Sequence, residues 1–435
     1  MEAFSPDKPQ GSQEDDSYEI SPVDKLRQSF SESCISHTQE SVGSILEEMD
    51  GLTATVLDIG SYCCKIGMNG LSKPEYIFPT VIGTPKCIGK PSTDFNLKYG
   101  LDAYKNLPNM NISFPLEFSS DIDWDEFTDI IVETLPLLNS SHFSEDSFNE
   151  YSETDYSIYP FIFTERINNS LKNKEALIEL AFETLELPKI SIQNQAFCSL
   201  ISQGKTSGLV IDCGENATSV VPIFDSRILK DESNTILVGG KNLNHFLMEL
   251  LREKYSFHTS YDREMARFMK EELCYISPHK FDYTKIWLGD SQSYTMPDKT
   301  MLSIGVEQQL CPEALFNTSL VDLDDASLQH MVFDSLTKVD SSIRKEIAGQ
   351  CLLVGGTTQF RGFEQRLVNE VSSLSKELGK ILEFVEDSSK EAQRHISSWI
   401  GASILADLSQ THRDMITEDD YEEQGAKRIS RQLNT

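Results

Sequence analysis

The apolar positions of this chain follow two periods, one typical of strands and one typical of helices. Short apolar runs, as expected for buried strands, occupy residues 54–58, 64–68, 209–212 and 219–224. Apolar residues recur at helical spacing in 123–135, 174–185, 241–253, 263–276 and 362–374. Because the two kinds of segment alternate, the pattern predicts an α/β protein with mixed sheets.

Two of the strand runs end in the same kind of turn. One reads Asp58-Ile-Gly60, the other reads Asp212-Cys-Gly214, and each is followed by a second strand-like run. A strand–turn–strand unit that occurs twice, about half a chain apart, predicts two related halves. We therefore divide the chain into a first half at 51–205 and a second half at 206–435, and expect the C-terminal segment to pack back on the first half.

Two segments depart from this pattern. Residues 1–50 are rich in serine, contain twelve acidic and three basic residues, and lack sustained apolar periodicity. Such a composition is typical of a disordered extension. Residues 139–157 contain five acidic residues and no lysine or arginine, and we interpret them as a surface loop inserted into the first half.

Composition and charge exclude several classes of function. The net charge of −31 argues against direct nucleic-acid binding, which needs lysine and arginine at the phosphates. The acidic surface is either a means of staying soluble or a face for basic partners such as histones. No apolar run is long enough for a membrane span. The nine scattered cysteines form no CxxC pair, which indicates reduced thiols rather than a disulfide framework or a zinc site.

The first turn has the groups that a phosphate needs, which are outward backbone N–H groups, a hydroxyl and a cation. Gly60 permits the tight turn, Ser61 brings the hydroxyl and Lys65 brings the charge. Asp58 stands at the strand end, where a carboxylate can hold a hydrated Mg²⁺. Asp212 begins a matching turn in the second unit.

A third turn, Gly355-Gly356-Thr357, follows another apolar run and precedes a helical pattern. Paired glycines allow the backbone to approach a nucleoside closely. A single Asp-x-Gly is usually an ordinary β-turn, so the prediction depends on all three turns occurring together. Together they predict one nucleotide cleft between two halves.

These turns belong to a longer series of motifs that resembles the actin family. The matching segments, in chain order, are 56–61, 78–83, 114–117, 123–126, 182–184, 195–200, 204–208, 255–257, 263–264, 270–275, 311–316, 340–344, 355–358, 398–405 and 416–422. The resemblance covers about residues 53–431, and many short motifs in one order make a chance match negligible. It implies the actin-like ATPase fold, with four subdomains around a central nucleotide cleft.

The resemblance also implies a ligand and its contacts. The cofactor would be ATP with Mg²⁺ or Ca²⁺, and Asp58 and Asp212 would flank the metal through water. Gln195 matches the glutamine that orients the attacking water. The residues expected to contact the nucleotide are Ser61, Tyr62, Lys65, Gly214, Glu215, Asn216, Gly240, Lys270, Glu271, Gly355, Gly356, Thr357 and Phe360.

Departures from the family pattern bear on catalysis. Ser219 stands where actin has a histidine that assists the water network, and serine is no general base near neutral pH. Tyr62 and Asn216 replace glycines, and an asparagine side chain would crowd the phosphate approach; Glu215 replaces an aspartate. We therefore expect ATP binding with absent or very weak hydrolysis, and the alternative is an empty cleft retained only as part of the fold.

Two further departures argue against filament formation. The stretch 87–94, which matches the loop that actin inserts into its neighbour, is short and polar. The stretch 320–325 matches the apolar plug of actin but contains three aspartates, Asp322, Asp324 and Asp325. Carboxylates do not enter a dry interface without partners.

The motif around Trp399 resembles the nuclear actin-related proteins more than conventional actin. That resemblance implies a nuclear, non-polymerising subunit of an ATP-dependent chromatin-remodelling complex of the SWI/SNF or RSC kind, or of a histone-modifying complex. Its partners would be the helicase-SANT-associated helix of the remodelling ATPase and a second actin-related protein or actin. The alternative is a cytoplasmic, cytoskeletal actin-related subunit with slow ATPase activity. The actin-type motifs argue against a sugar kinase or a chaperone ATPase.

Overall fold

The computed structural model of the chain describes residues 53–86, 97–116, 122–140, 158–281, 291–296, 299–385 and 394–433. The expected N-terminal extension at 1–50, the polar loop at 87–94 and residues 141–157 of the expected insertion lie outside the described residues. Within these ranges no helix combines the length and the apolar character needed to cross a membrane.

The first half contains eight strands in its described part and four helices before the chain crosses to the second half. The strands are Thr55–Asp58 (β1), Cys63–Met68 (β2), Tyr76–Pro79 (β3), Ile82–Pro85 (β4), Lys98–Tyr99 (β5), Met110–Ser113 (β6), Phe161–Glu165 (β7) and Lys189–Asn194 (β8). The helices are Gly100–Lys105 (α1), Trp124–Ser140 (α2), Leu171–Glu179 (α3) and Gln195–Ile201 (α4). A π-helical turn, Leu180–Thr184, continues α3.

The second half begins with the strand after α4. Its strands are Gly208–Cys213 (β9), Thr218–Phe224 (β10), Arg227–Ile228 (β11), Asn234–Ile236 (β12), Gln292–Thr295 (β13), Met301–Ile304 (β14) and Cys351–Val354 (β15). Its helices are Gly240–Leu251 (α5), Ser260–Leu273 (α6), Glu307–Glu313 (α7), Leu328–Lys338 (α8), Ser341–Ala348 (α9), Phe363–Leu374 (α10) and Lys376–Ile381 (α11). The C-terminal segment adds Ser397–Ala406 (α12), Ser409–Arg413 (α13), Ile416–Thr417 (β16), Glu418–Gln424 (α14) and Ala426–Gln432 (α15).

Each half is built on a sheet with the same local arrangement at its centre. The first sheet has the strand order β16-β8-β7-β1-β2-β3, and the second has β11-β10-β9-β15, with β12 also paired to β10. In the first sheet β1 pairs antiparallel with β2 and parallel with β7. In the second sheet β9 pairs antiparallel with β10 and parallel with β15. The two strand–turn–strand units therefore occupy equivalent places in two related sheets.

Local chemistry explains where the main helices begin. Asn194 caps α4, because its side-chain oxygen accepts hydrogen bonds from the backbone N–H groups of Ala196 and Phe197. Thr259 caps α6 through a capping box with Asp262. All five predicted helices and all four predicted strands are present. Ser170 and Thr259 cap two helices that start about three residues ahead of the apolar pattern. The largest difference is at the end of α2, which continues beyond the predicted residue 135 to Ser140.

Two helices connect the halves, and they pack closely against each other. Helix α4 leads from β8 of the first sheet to β9 of the second, and α12 packs along it. A Cβ atom on Gly401 of α12 would collide with the backbone carbonyl of Cys198 in α4, so glycine is required there. Trp399 is fully buried and donates a hydrogen bond from Nε1 to the carbonyl oxygen of Val56 at 3.1 Å.

The C-terminal segment packs on the first half rather than on the second. Strand β16 pairs with β8 at the edge of the first sheet, and α15 packs against α3. Tyr421 of α14 stacks on Phe182, with ring centroids 4.9 Å apart. The second half thus supplies its last strand, β15, before the chain returns to the first half.

Candidate functional site

A cavity of about 1310 Å³ lies between the two halves. The turn after β1 and the turn after β9 both line it, as do the loops after β7 and β15. In each sheet the antiparallel hairpin and its parallel neighbour end at the same edge. Ligands of open α/β sheets bind at such carboxyl ends, so the topology puts the candidate site here.

Asp58 is the most heavily hydrogen-bonded acid of the cavity. Its carboxylate accepts from Lys65 Nζ at 2.8 Å, Thr164 Oγ1 at 2.5 Å, Gln195 Nε2 at 3.0 Å and Ser398 Oγ at 2.8 Å. Burial favours a raised pKa for Asp58, but the charge of Lys65 and these hydrogen bonds outweigh burial and hold the pKa below its usual value. Asp58 is therefore a charged, fixed group whose acceptor sites are largely occupied.

Asp212 contrasts with Asp58, although the two residues occupy equivalent strand ends. Within the described part of the chain, no hydrogen bond or ion pair is formed by the Asp212 carboxylate. Burial raises the pKa of Asp212 to about 6, with Arg166 opposing the rise and Asp58 adding to it. Of the two carboxylates, Asp212 is the one with free lone pairs, as a metal-bound water requires.

Four of the predicted contact residues meet at the start of α5. A Cβ atom built on Gly240 would lie 2.6 Å from Glu215 Oε2, 3.1 Å from Lys270 Nζ and 3.2 Å from Thr357 Oγ1. Lys270 Nζ itself donates to the carbonyl oxygen of Gly240 at 3.3 Å. Burial raises the pKa of Glu215, with Lys270 opposing it. Gly240 thus allows a close approach of backbone and side chains at one wall of the cavity.

The third predicted turn forms the adjoining wall. Gly355 has φ 84°, and a Cβ atom there would collide with Cys213 and lie 2.6 Å from Asp212 Oδ1. A Cβ atom on Gly356 would meet open space. Phe360 and Glu271 also line the cavity, and Glu271 is held by Arg267 at 2.8 Å. Gly214 lines the same wall and accepts a hydrogen bond from Thr357 Oγ1 at 3.0 Å.

Tyr62 and Asn216 line the cavity, but their polar atoms bond elsewhere. The Tyr62 hydroxyl contacts the Tyr104 hydroxyl at 2.5 Å and Glu264 Oε2 at 3.2 Å. The Asn216 amide donates to the carbonyl oxygen of Leu116 in the first half. The asparagine side chain is thus tied across the halves, whereas the sequence led us to expect it to crowd the phosphate approach.

Gln195 lies between the two hairpins at the start of α4. Its Nε2 donates to Asp58, to the carbonyl oxygen of Ile59 at 2.9 Å and to Thr164 Oγ1 at 3.2 Å. The amide nitrogen is therefore committed to holding Asp58, whereas the amide oxygen forms no hydrogen bond within the described part of the chain. Ser61 and Ser219 also line the cavity.

The sequence analysis missed several charged or titratable residues of the cavity, among them Arg166, Arg394 and His395. Burial, together with the charge of Lys65, lowers the pKa of His395 to about 4, so its imidazole is neutral at physiological pH. Arg394 donates to the carbonyl oxygen of Thr358 at 2.9 Å. A signal was available for Arg166, because it closely follows the apolar run 161–163, which the sequence analysis did not single out as a strand. No local signal marks the other two.

The arrangement fits the magnesium nucleotide that the sequence motifs imply. The cavity is large enough for a nucleotide, Gly356 leaves open space at its wall, and Asp212 keeps acceptor sites that no group of the described residues occupies. Lys65 and Ser61 would hold phosphate oxygens, and Asp212 and Asp58 would hold the hydrated cation. The cation would neutralise phosphate charge.

Comparisons with known proteins agree with these motifs. The sequence profile of the actin family matches residues 49–434. A protein named "Putative actin-29" from Dictyostelium discoideum is 30% identical over 390 residues, which cover 87% of this chain and 96% of that protein.

Proposed function

This chain belongs to the actin family, and we propose that it is a nucleotide-binding, non-polymerising assembly subunit of a nuclear chromatin-remodelling or histone-modifying complex. The family and the fold expected from the motifs are confirmed. Members of the family bind ATP with a divalent cation and are weak ATPases. What separates this chain from a filament subunit lies in its own residues.

Nucleotide binding is supported by the convergence of the predicted contacts on one cavity. Fifteen of the sixteen residues expected from the sequence line it, and Gly240 lies directly behind its wall. The Lys65 ammonium is held by Asp58, and the phosphate-facing turns retain Gly60 and Gly214. Backbone amides of such turns bind anions.

Weak hydrolysis is supported by the groups around Gln195. The position of the family histidine is occupied by Ser219, and the imidazole that lines the described cavity, that of His395, has its pKa lowered to about 4 by burial and by Lys65. A base with so low a pKa is a poor proton acceptor for water at neutral pH. The cleft would then keep its nucleotide as a structural cofactor.

The observation that carries the proposal of a non-polymerising subunit is the polarity of the segment 320–325. Asp322, Asp324 and Asp325 are all exposed, while Leu320 and Leu323 turn towards the core of the second half. Three charges would have to lose their water for this surface to enter a filament contact. This surface therefore does not favour self-association.

We place the docking site of a partner helix at the C-terminal end of α12. Ser398, at the start of α12, donates to Asp58 within the cavity. Ile404 lies six residues further, about 9 Å along the helix. Ile404 and Leu408 expose 41% and 49% of their surfaces and are four residues apart. An exposed apolar pair beside the crossing of α4 and α12 is suited to an amphipathic helix.

The test is affinity purification of the full chain, with identification of the co-purifying proteins. We expect a remodelling ATPase together with a second actin-related protein or actin. The double variant Ile404→Glu/Leu408→Glu should lose the ATPase subunit, because two charges would enter the apolar contact. Leu374→Glu is the matched control, since Leu374 is 40% exposed on α10 of the second half and should not affect recovery.

Two results would contradict the assignment. Recovery of cytoskeletal proteins alone would refute the nuclear role and favour the cytoplasmic alternative. Equal recovery of the ATPase by wild type and by the double variant would refute the docking place at the end of α12, while leaving the complex itself in place.

A further inference from the structure

Arg166 occupies a position in the first half that matches a glycine in the second half. The register of β1 and β7 pairs Asp58 with Thr164, so Arg166 is two residues beyond that pair. The register of β9 and β15 pairs Asp212 with Val354, and Gly356 is two residues beyond it. A side chain at Gly356 would meet open space. The repeat therefore places a guanidinium where the other half leaves room for a ligand.

The other cationic side chains of the described cavity are engaged with protein groups. Lys65 bonds to Asp58, Arg267 bonds to Glu264 and Glu271, Arg394 bonds to Glu364, Lys270 bonds to the Gly240 carbonyl oxygen, and Arg361 lies over the Tyr275 ring. Arg166 lines the same cavity, yet within the described residues its guanidinium forms no hydrogen bond and no ion pair.

A half-buried guanidinium without acceptors is costly, because its five N–H groups lose water without gaining partners. Burial lowers the pKa of Arg166, and only the charge of Asp212 opposes the effect. Arg166 lies on the side of the cavity that holds Gln195, since Gln195 contacts Thr164 at 3.2 Å and Thr164 is two residues from Arg166. Gln195 is the residue expected beside the terminal phosphate.

We propose that Arg166 holds the terminal phosphate of the bound nucleotide and supplies part of the charge neutralisation that otherwise requires the divalent cation. The inference rests on the nucleotide binding proposed above. A guanidinium offers parallel N–H donors that match two phosphate oxygens. Asp212 faces the same region from the second half, so the arginine and a hydrated cation share one phosphate between them.

The test compares ATP and ADP binding by wild type, Arg166→Gln, Arg166→Lys and Arg227→Gln, each in excess magnesium and in excess EDTA. Arg227 is an exposed arginine on β11, so Arg227→Gln makes the same charge change outside the cavity. We expect wild type and Arg227→Gln to lose less than about tenfold in ATP affinity when magnesium is removed. Arg166→Gln should lose a further factor of about ten to a hundred in EDTA, the size of a lost charge-assisted contact.

The expected pattern has two more signs that a purely structural role would not produce. ADP affinity should change little in Arg166→Gln, because ADP lacks the terminal phosphate. Arg166→Lys should lie between wild type and Arg166→Gln, because it keeps the charge and loses the fork of donors. Arg166→Lys also carries the test if Arg166→Gln fails to fold, as judged by its thermal unfolding.

The outcomes separate the two proposals. Equal loss of ATP affinity on removing magnesium in wild type and in both Arg166 variants would overturn the role of Arg166 and leave nucleotide binding intact. Equal weakening of ATP and ADP in Arg166→Gln would also overturn it. Wild-type protein that binds neither nucleotide in either condition would overturn nucleotide binding itself, and the role of Arg166 with it.

Discussion

At the scale of single residues, the cavity holds similar groups in opposite electrostatic states. Asp58 and Asp212 are equivalent by the internal repeat, yet the pKa of Asp58 is lowered and that of Asp212 is raised to about 6. The difference follows from hydrogen-bond donors. Lys65, Thr164 and Ser398 donate to the Asp58 carboxylate and lower its pKa, whereas burial dominates the pKa of Asp212, to which no group of the described residues donates. Equivalent backbone positions thus do not carry equivalent chemistry.

His395 gives a prediction for stability against pH. Its pKa in the folded chain is about 4, whereas an unfolded histidine titrates near 6.5. Between these values the unfolded chain binds the extra proton, so the contribution of a neutral His395 is complete above about pH 6.5 and is lost as pH falls towards 4. His395→Gln should abolish this dependence.

The measurement is the urea midpoint of wild type and His395→Gln from pH 5 to 7.5. The raised pKa of Asp212 contributes to the free energy of unfolding with the opposite sign, because that contribution is lost as the pH rises towards 6. Wild type and His395→Gln share this effect, so it cancels in the comparison. The stability of wild type relative to the variant should therefore rise with pH up to about 6.5 and then level off. A difference that stays constant across the range would contradict the prediction.

At the scale of elements, α6 of the second half contacts the first half beside the cavity. Arg267 lies 4.6 Å from the centre of the Tyr62 ring and donates to the Tyr104 hydroxyl at 3.2 Å. Glu264, also on α6, accepts from both tyrosine hydroxyls and pairs with Arg267 at 2.9 Å. We call this group of Tyr62, Tyr104, Glu264 and Arg267 the interlobe clamp.

The interlobe clamp should slow the escape of a bound nucleotide. Two further contacts join α6 to the first half. Ser260 Oγ accepts a hydrogen bond from the backbone N–H of Ile112 at 3.0 Å, and the Arg263 guanidinium lies 4.5 Å from the centre of the Phe114 ring. Arg267→Met would leave the carboxylate of Glu264 buried without its cation, which typically costs about 3–5 kcal/mol. We expect faster nucleotide dissociation by about tenfold or more, together with earlier proteolytic cleavage.

Dissociation is followed by chasing a fluorescent nucleotide with excess ATP. Arg252→Met is the matched control, because Arg252 pairs with Glu249 on the surface of α5 and both side chains are about two-thirds exposed or more. Surface pairs of this kind contribute about 0–1 kcal/mol. An unchanged dissociation rate in Arg267→Met would show that the clamp does not control the opening of the cavity.

At the scale of the whole molecule, we propose that a cleft suited to a nucleotide is combined with an outer surface unsuited to a filament. The aspartates at 322, 324 and 325 are exposed in the second half, and the net charge of −31 adds long-range repulsion between copies. Added ATP and magnesium should therefore produce neither sedimenting polymer nor phosphate release above the buffer rate. Centrifugation and a phosphate assay check this, with conventional actin as the positive control.

Polymer formation and phosphate release would each contradict a different part of the proposed function. Rapid assembly into polymer would refute the inference that the aspartates at 320–325 prevent a filament contact. Steady phosphate release without assembly would instead refute the inference drawn from Ser219 and His395, and would favour the cytoplasmic subunit with slow ATPase activity.

The sequence by itself determined the fold and the location of the cavity. Apolar runs of strand length and turn residues such as Gly60 and Gly214 are local signals, because backbone conformation and burial depend on neighbouring residues. The sequence put Asp58 and Lys65 into one strand–turn–strand unit, and the structure adds that they pair with each other across β1 and β2.

The tertiary structure alone decided which groups are engaged and which are free. Tyr62 and Glu264 meet across 202 residues, and Asn216 reaches Leu116 across 100. No local pattern encodes such pairs, because they depend on how the two halves close on each other. For the same reason the sequence alone did not reveal the neutral His395 or Arg166, which has no partner within the described ranges, because distance and burial in the packed cavity set the charge of each group.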